Sequence, residues 1–189
     1  MRIVGGQFRG RALATPGDDR TRPTSDRVRE AVFNILAHGI DGFAIEGVRV
    51  LDLFAGTGAL GVEALSRGAA YCLFVEEDAD ARGTIRRNIE TFGLTGITKV
   101  FRRDATTLGP AENRGTFGLA FLDPPYGKGL AERALASAAA GAWLAPDAVA
   151  VIEERKGNAI ALPTGFSAVD QRTWGDTQVL FARFSGGRG

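Results

Sequence analysis

The chain has 189 residues, 44% of them apolar and 24% charged, with a formal net charge of +1; this is the balance of an ordinary globular domain, not of a disordered or fibrous chain. At this length roughly 70% of the unfolded surface can be buried, so one domain with a proper core is expected. A single cysteine, Cys72, and a single histidine, His38, exclude an internal disulfide, a cysteine-based metal cage and most histidine triads, so no metal site is expected.

Residues 2–14 (RIVGGQFRGRALA) hold two short runs around glycines and read as a small hairpin or an extended arm. Charge is concentrated here. Between Met1 and Arg29 seven arginines (Arg2, Arg9, Arg11, Arg20, Arg22, Arg27, Arg29) stand against three aspartates, a local balance of +4. The arginine fork suits phosphate, although a solvated flexible arm would carry the same charge. The polar stretch PGDDRTRPTSDR reads as a loop, and Thr24 or Ser25 can cap the helix that follows. In that helix Val28, Ala31, Val32, Ile35 and Leu36 form one apolar stripe, and Gly39 can end it.

From residue 47 strands and helices alternate. Val48–Phe54 is a buried strand and Ala59–Arg67 a helix closed by Gly68. Tyr71–Glu76 is a second strand, and Asp78 can cap a helix in which Ile85, Ile89 and Phe92 share a face, ended by Gly93. Ile97–Arg102 and Phe117–Leu122 are the third and fourth strands, Leu130–Trp143 an alanine-rich helix, and Ala148–Glu153 the fifth strand. This order predicts a parallel sheet covered on both faces. Phe166–Arg172 and Thr177–Phe184 have no room for a helix between them, so they should pair antiparallel around Gly175-Asp176. The result is an α/β fold with a mostly parallel seven-stranded sheet closed by an antiparallel C-terminal hairpin, the architecture of class I Rossmann-like methyltransferases, preceded by a small N-terminal hairpin and helix. No apolar run reaches membrane length, and none follows the charged N-terminus as in a signal peptide, so a soluble, cytoplasmic protein is expected.

Residues 50–61 (VLDLFAGTGALG) place Gly56, Gly58 and Gly61 in G-x-G-x-x-G spacing between a strand and a helix. Glycines let such a loop turn sharply and present its amides to a ligand. NAD, FAD and S-adenosylmethionine sites share this pattern. Two carboxylates favour S-adenosylmethionine. Asp52 lies just before the loop, where it could accept from an ammonium group directly or through water, and Glu76 ends the second strand 18 residues past Gly58, where an acid can accept both ribose hydroxyls. Asp104, after the third strand, could accept from an adenine amino group or could be a solvated turn residue. Phe54, Ala55 and Thr57 complete the candidate cofactor loop.

Asp123-Pro124-Pro125-Tyr126 follows the apolar run of the fourth strand, at the sheet edge where open α/β folds bind ligands. Two prolines fix the backbone and remove two amide donors, so the Pro124 carbonyl can be held in one direction. An exocyclic base amine is a poor nucleophile because its lone pair is delocalised into the ring. The Asp123 carboxylate and the Pro124 carbonyl can accept its two N–H groups, encourage sp³ character and stabilise developing positive charge. Tyr126 can stack on the base.

With these residues in place, the chain resembles the RsmD family, bacterial methyltransferases that modify N2 of a guanine in 16S ribosomal RNA. The resemblance covers nearly the whole chain and is carried by RIVGGQFRGRAL (2–13), RPTSDRVREAVFNIL (22–36), VLDLFAGTGALGVEALSRGA (50–69) and DPPY (123–126). It implies a class I fold, S-adenosylmethionine as cofactor, and as substrate 16S ribosomal RNA in a small ribosomal subunit or assembly intermediate. By position, Asp123 to Tyr126 would be the catalytic motif, and Gly56, Gly58, Glu76 and Asp104 would contact the cofactor. Arg22, Pro23 and Thr24 would lie near the active-site mouth, and Arg9 and Arg11 would contact RNA. Many members carry Phe at the position of Tyr126, a change that keeps the stacking face. On this reading residues 1–40 form a basic, RNA-contacting extension and 41–189 the methyltransferase domain, with a monomer favoured.

Four other readings compete. A DNA adenine-N6 or cytosine-N4 methyltransferase uses the same tetrapeptide, but it usually needs a target-recognition region for which little chain is left. A protein-glutamine methyltransferase would resemble NPPY, with Asn in place of Asp123. A dinucleotide oxidoreductase would need an acid or base facing the nicotinamide, and His38 sits at the end of the N-terminal helix. A non-enzymatic RNA-binding module with a vestigial cofactor fold ranks last.

Overall fold

Local signals start the helices where the sequence places them. The computed structural model describes residues 1–17 and 25–186. Ser25 Oγ accepts from the Val28 amide at 3.2 Å and opens α1 (Asp26–His38), which settles the choice of cap among the described residues. Asp78 Oδ1 accepts from the Ala81 amide at 2.8 Å and opens α3 (Ala79–Thr91). Each cap satisfies an amide that has no partner inside its helix. Gly58, at φ +79°, turns the chain into α2 (Ala59–Ser66). The fourth helix, α4, spans Leu130–Ala140.

The strands are β1 (Arg49–Leu53), β2 (Tyr71–Val75), β3 (Thr98–Phe101), β4 (Phe117–Leu122), β5 (Leu144–Arg155), β6 (Phe166–Trp174) and β7 (Thr177–Phe184). They form one seven-stranded sheet in the order β3-β2-β1-β4-β5-β7-β6. β1 to β5 run parallel, whereas β7 pairs antiparallel with β5, and β6 antiparallel with β7. Strand order reverses between β1 and β4, and the crevice at such a switch point is where open α/β sheets hold ligands.

The largest boundary changes from the sequence reading fall at the end of α4 and along β5. The alanine-rich helix ends at Ala140 instead of Trp143, because Ala142 takes a left-handed φ of +59° and Trp143 turns inward, its indole N–H donating to the Gly109 carbonyl at 2.7 Å. β5 then starts at Leu144 and extends to Arg155, twice the length expected, because β4 and β7 pair along it from both sides.

Each sheet face carries its own apolar layer. On one, Val50, Phe74, Phe121 and Val151 pack against Val32, Phe33 and Leu36 of α1, Val62 and Leu65 of α2, and Ile85 and Ile89 of α3. On the other, Leu51, Leu53, Leu122 and Ile152 pack against Ala131, Ala134, Leu135 and Ala138 of α4 and the Trp143 ring. Strand alternation assigns neighbours to opposite layers.

The N-terminal segment belongs to the first layer. It is a hairpin, bridged between Arg2 and Ala12, with the Ile3 amide on the Arg11 carbonyl at 3.0 Å and the Gly10 amide on the Ile3 carbonyl at 2.8 Å. Ile3 and Leu13 are buried in the same core as α1 and α2. Glu63, buried in α2, anchors the arrangement, accepting from the Val4 amide at 3.0 Å and pairing with Arg29 at 3.4 Å and Arg67 at 3.0 Å. Residues 1–17 and α1 therefore share a core with the rest of the chain and do not form a detached arm. Among the described residues no helix is long and apolar enough to cross a membrane.

Candidate functional site

The site is assembled where β1 and β4 end side by side. Leu53 of β1 pairs with Leu122 of β4, so the glycine loop and the Asp123-Pro124-Pro125-Tyr126 turn leave the same sheet edge as neighbours.

The loop owes its shape to its backbone. Phe54 at φ +57°, Gly56 at +57° and Gly58 at +79° all take left-handed conformations, which cost a residue with a Cβ of order 1 kcal/mol or more. The Ala55 amide donates to the Val75 carbonyl at 3.1 Å, and the Gly58 amide to the Ala55 carbonyl at 2.8 Å. Gly61 is required by packing, since a Cβ there would collide with the Phe74 ring and stand 2.6 Å from the Cys72 sulfur. Burial pushes the Cys72 thiol well above its ordinary range, so it is an inert packing group.

The acids around the loop hold different posts. Asp52 is 1% exposed, and its Oδ2 accepts from the Gly61 amide at 3.1 Å, so its carboxylate is turned into the start of α2. Burial raises its pKa well above the usual carboxylate range, against the lowering effect of that amide. Glu76 is half-buried and bridges the ends of β1 and β2, accepting from the Gly56 amide at 2.8 Å and the Asp78 amide at 2.9 Å. Asp104, half-buried after β3, accepts from the Thr106 hydroxyl at 2.7 Å and the Thr106 amide at 2.8 Å. Those two bonds, the hydroxyl first, hold its pKa below the usual value. Thr57 is tied from the other side by buried Asn88 of α3, whose amide nitrogen donates to the Thr57 carbonyl at 3.0 Å and the Ala14 carbonyl at 3.1 Å; its oxygen accepts from the Ala14 amide at 2.7 Å.

In the tetrapeptide Asp123 is half-buried, Pro124 buried and Pro125 exposed. Tyr126 is half-buried, and its hydroxyl donates to Glu153 Oε1 at 2.6 Å. Burial, and then this carboxylate, push the phenol well above its ordinary range, so it stays a protonated donor. Next door Glu154 accepts from the Gly127 amide at 3.2 Å, the Arg155 amide at 2.6 Å and the Asn158 side chain at 3.1 Å. β5 thus braces the loop that leaves β4.

Arg9 is exposed on the N-terminal hairpin. Arg11, also exposed, is partly committed within the protein: its guanidinium lies 4.5 Å from the centre of the Phe92 ring and 5.3 Å from that of Phe8, and donates to the Thr91 carbonyl at 2.9 Å. Arg22 and Thr24 lie outside the described residues. Sequence reasoning missed Asn88, Glu153 and Glu154. Glu153 and Glu154 were detectable as two acids directly ending an apolar strand, but Asn88 left no signal, since a polar residue on a helix is ordinary.

The donor and acceptor set suits a charged nucleoside ligand. Left-handed glycines open the loop backbone, Glu76 follows β2 and Asp104 follows β3, so two carboxylates lie in succession along the edge from the loop. Carboxylates in such a position can accept from hydroxyl or amino groups of a ligand. A ligand seated there would lie next to Asp123.

The model of the family described as "Conserved hypothetical protein 95" matches residues 1–183. Ribosomal RNA small subunit methyltransferase D of Escherichia coli K12 is 39% identical over 165 residues, covering 87% of this chain and 78% of that protein. YlbH of Bacillus subtilis, named as an rRNA methyltransferase, is 45% identical over 128 residues, 67% of each chain. Among solved structures the Escherichia coli protein yhhF superposes with a TM-score of 0.83 at 33% identity, covering 98% of both chains.

Proposed function

We propose that this chain, which belongs to the ribosomal RNA small subunit methyltransferase D family, transfers a methyl group from S-adenosylmethionine to the N2 amino group of a guanine in 16S ribosomal RNA, within a small subunit or its assembly intermediate. The carrying observation is one of adjacency: the Asp123-Pro124-Pro125-Tyr126 turn leaves β4 beside the glycine loop of β1, at the strand switch point.

The residues that would hold the cofactor are Phe54, Ala55, Gly56, Thr57 and Gly58 along the loop, Glu76 toward the ribose and Asp104 toward the adenine. Asp52 supports them by holding the Gly61 amide. S-adenosylmethionine, when bound, supplies an electrophilic methyl group on a sulfonium. Asp123 and the Pro124 carbonyl accept the two N–H groups of the target amine, which turns its lone pair out of conjugation and offsets the charge that develops on nitrogen. Pro124 and Pro125 keep that carbonyl from rotating. Tyr126 offers a ring face to the base while its hydroxyl is tied to Glu153, so the stacking surface is in place before substrate arrives. The proton leaving the methylated nitrogen passes to Asp123 or to water.

Arg9 and Arg11 supply phosphate contacts on the hairpin, and Arg22 and Thr24 are proposed to face the mouth of the site. The test is methyl transfer from labelled S-adenosylmethionine to small-subunit particles lacking the modification, followed by nucleoside analysis. N2-methylguanosine is the expected product. Label on adenosine or cytidine would reject guanine as the target, and no label on any RNA would send the search to DNA and protein amides.

A further inference from the structure

We propose that Glu153 is a specificity residue that reads the N1–H of the target guanine, beside the amine held by Asp123. The inference rests on the guanine-N2 reading above and adds a second acceptor to it. β4 and β5 pair in parallel register, Phe121 with Val151 and Leu122 with Ile152. Extending that register by one residue brings Asp123, just past the end of β4, alongside Glu153 of β5. Alternation places both on the face of Phe121 and Val151, the layer that also holds α1 to α3. Neighbouring strands lie about 4.8 Å apart, so two half-buried carboxylates emerge side by side at the mouth of the site.

Glu153 accepts from the Tyr126 hydroxyl. The 2.6 Å bond locates the Glu153 carboxyl at the outer edge of the ring on which the base would stack. What lies at that edge depends on the base. Guanine presents two adjacent donor groups, the N2 amine and N1–H. Adenine and cytosine present their amine next to a ring nitrogen that carries a lone pair. A pair of acceptors is complementary to guanine alone, and a carboxylate facing a lone pair has its hydrogen bond replaced by repulsion. Asp123 therefore serves the chemistry common to amine methylation, and Glu153 selects the base.

The test compares particles reconstituted with 16S RNA carrying either guanosine or 2-aminopurine riboside at the modified position. The analogue keeps the 2-amino group, but its N1 bears no hydrogen. The wild-type chain is expected to prefer guanosine in kcat/KM by about tenfold or more, the factor associated with one unsatisfied buried polar group. Glu153→Gln should abolish or reverse that preference, because its amide can donate to the bare N1 and its oxygen can still accept from Tyr126. Equal rates on the two substrates with the wild-type chain would overturn the proposal without any variant being needed. A preference unchanged in Glu153→Gln would overturn it as well. Tyr126→Phe, which cuts the tie but leaves the carboxylate, should lower kcat and keep the preference; its loss there would make Glu153 a positioning residue only. Were guanosine not labelled at all, the guanine-N2 reading itself would fall, a different result from labelled guanosine without discrimination.

Discussion

Asp123 and Asp52 are carboxylates near the ends of adjacent strands, and their surroundings differ. Asp123 is half-buried at the site mouth, where the amine would arrive. Its replacement by Ala should lower kcat by about 100-fold or more, the usual loss when a transition-state acceptor is removed, while cofactor affinity measured by calorimetry stays within a few-fold of wild type. Retention of more than about a tenth of the rate would contradict that role. Asp52 is enclosed and bonded to Gly61, and its pKa is raised by burial. A carboxyl whose folded pKa lies above its unfolded value contributes stability fully at low pH and loses it as pH rises through the folded pKa. Asp52→Asn keeps an oxygen for the Gly61 amide but has no charge to bury. The Tm of this variant relative to wild type should therefore increase as pH is raised from about 4, the unfolded carboxylate value, toward 8. A difference independent of pH would show that Asp52 is not strained by its burial.

At the scale of elements, α2 is the hub of the helical layer. Its sequence ALGVEALS is apolar except for Glu63 and Ser66, yet the acid is fully buried and takes Val4 of the hairpin, Arg29 of α1 and Arg67 at the end of its own helix. Removing one partner of a buried pair leaves the other charge uncompensated, which costs about 3–5 kcal/mol. Glu63→Ala should show a loss of that size in urea unfolding and should expose the N-terminal hairpin to protease; normal stability would mean that Arg29 finds another partner. Gly61, two residues earlier, meets Phe74 and Cys72 so closely that Gly61→Ala should cost about 1–3 kcal/mol through overpacking. β5 plays the matching part on the other side of the site, since Glu153 and Glu154 secure Tyr126 and Gly127.

For the molecule as a whole, the N-terminal segment is tied to the glycine loop. Asn88 fastens Ala14, just past the hairpin, and Thr57 of the glycine loop to one side chain. Arg9 is exposed and Arg11 is packed between Phe8 and Phe92, and the two should respond differently to replacement. Arg9→Ala should reduce the salt dependence of RNA binding by about 0.7–0.9 in the log–log slope for each phosphate that it no longer neutralises, with no change in stability. Arg11→Ala should do the same and also lower the Tm, because it removes a cation–π interaction as well as a charge. An unchanged slope in both would assign the hairpin a structural role alone.

The sequence by itself determined what local chemistry controls: the cap at Asp78, a cap at Thr24 or Ser25, the strand and helix order, the glycine loop, the acid at Glu76, and the tetrapeptide at the end of β4. Each is encoded by a few neighbouring residues whose periodicity or backbone preference does not depend on the rest of the chain. Only the tertiary structure decided how distant segments share their polar groups. It packed the N-terminal hairpin into the main core through Ile3 and Leu13, turned Asp52 inward, tied Tyr126 to Glu153, and gave Asn88 its two partners. These are pairings across 9 to 74 positions in the chain, and sequence periodicity carries no information on them. What selects them is the need of each buried donor and acceptor for a partner once packing has excluded water.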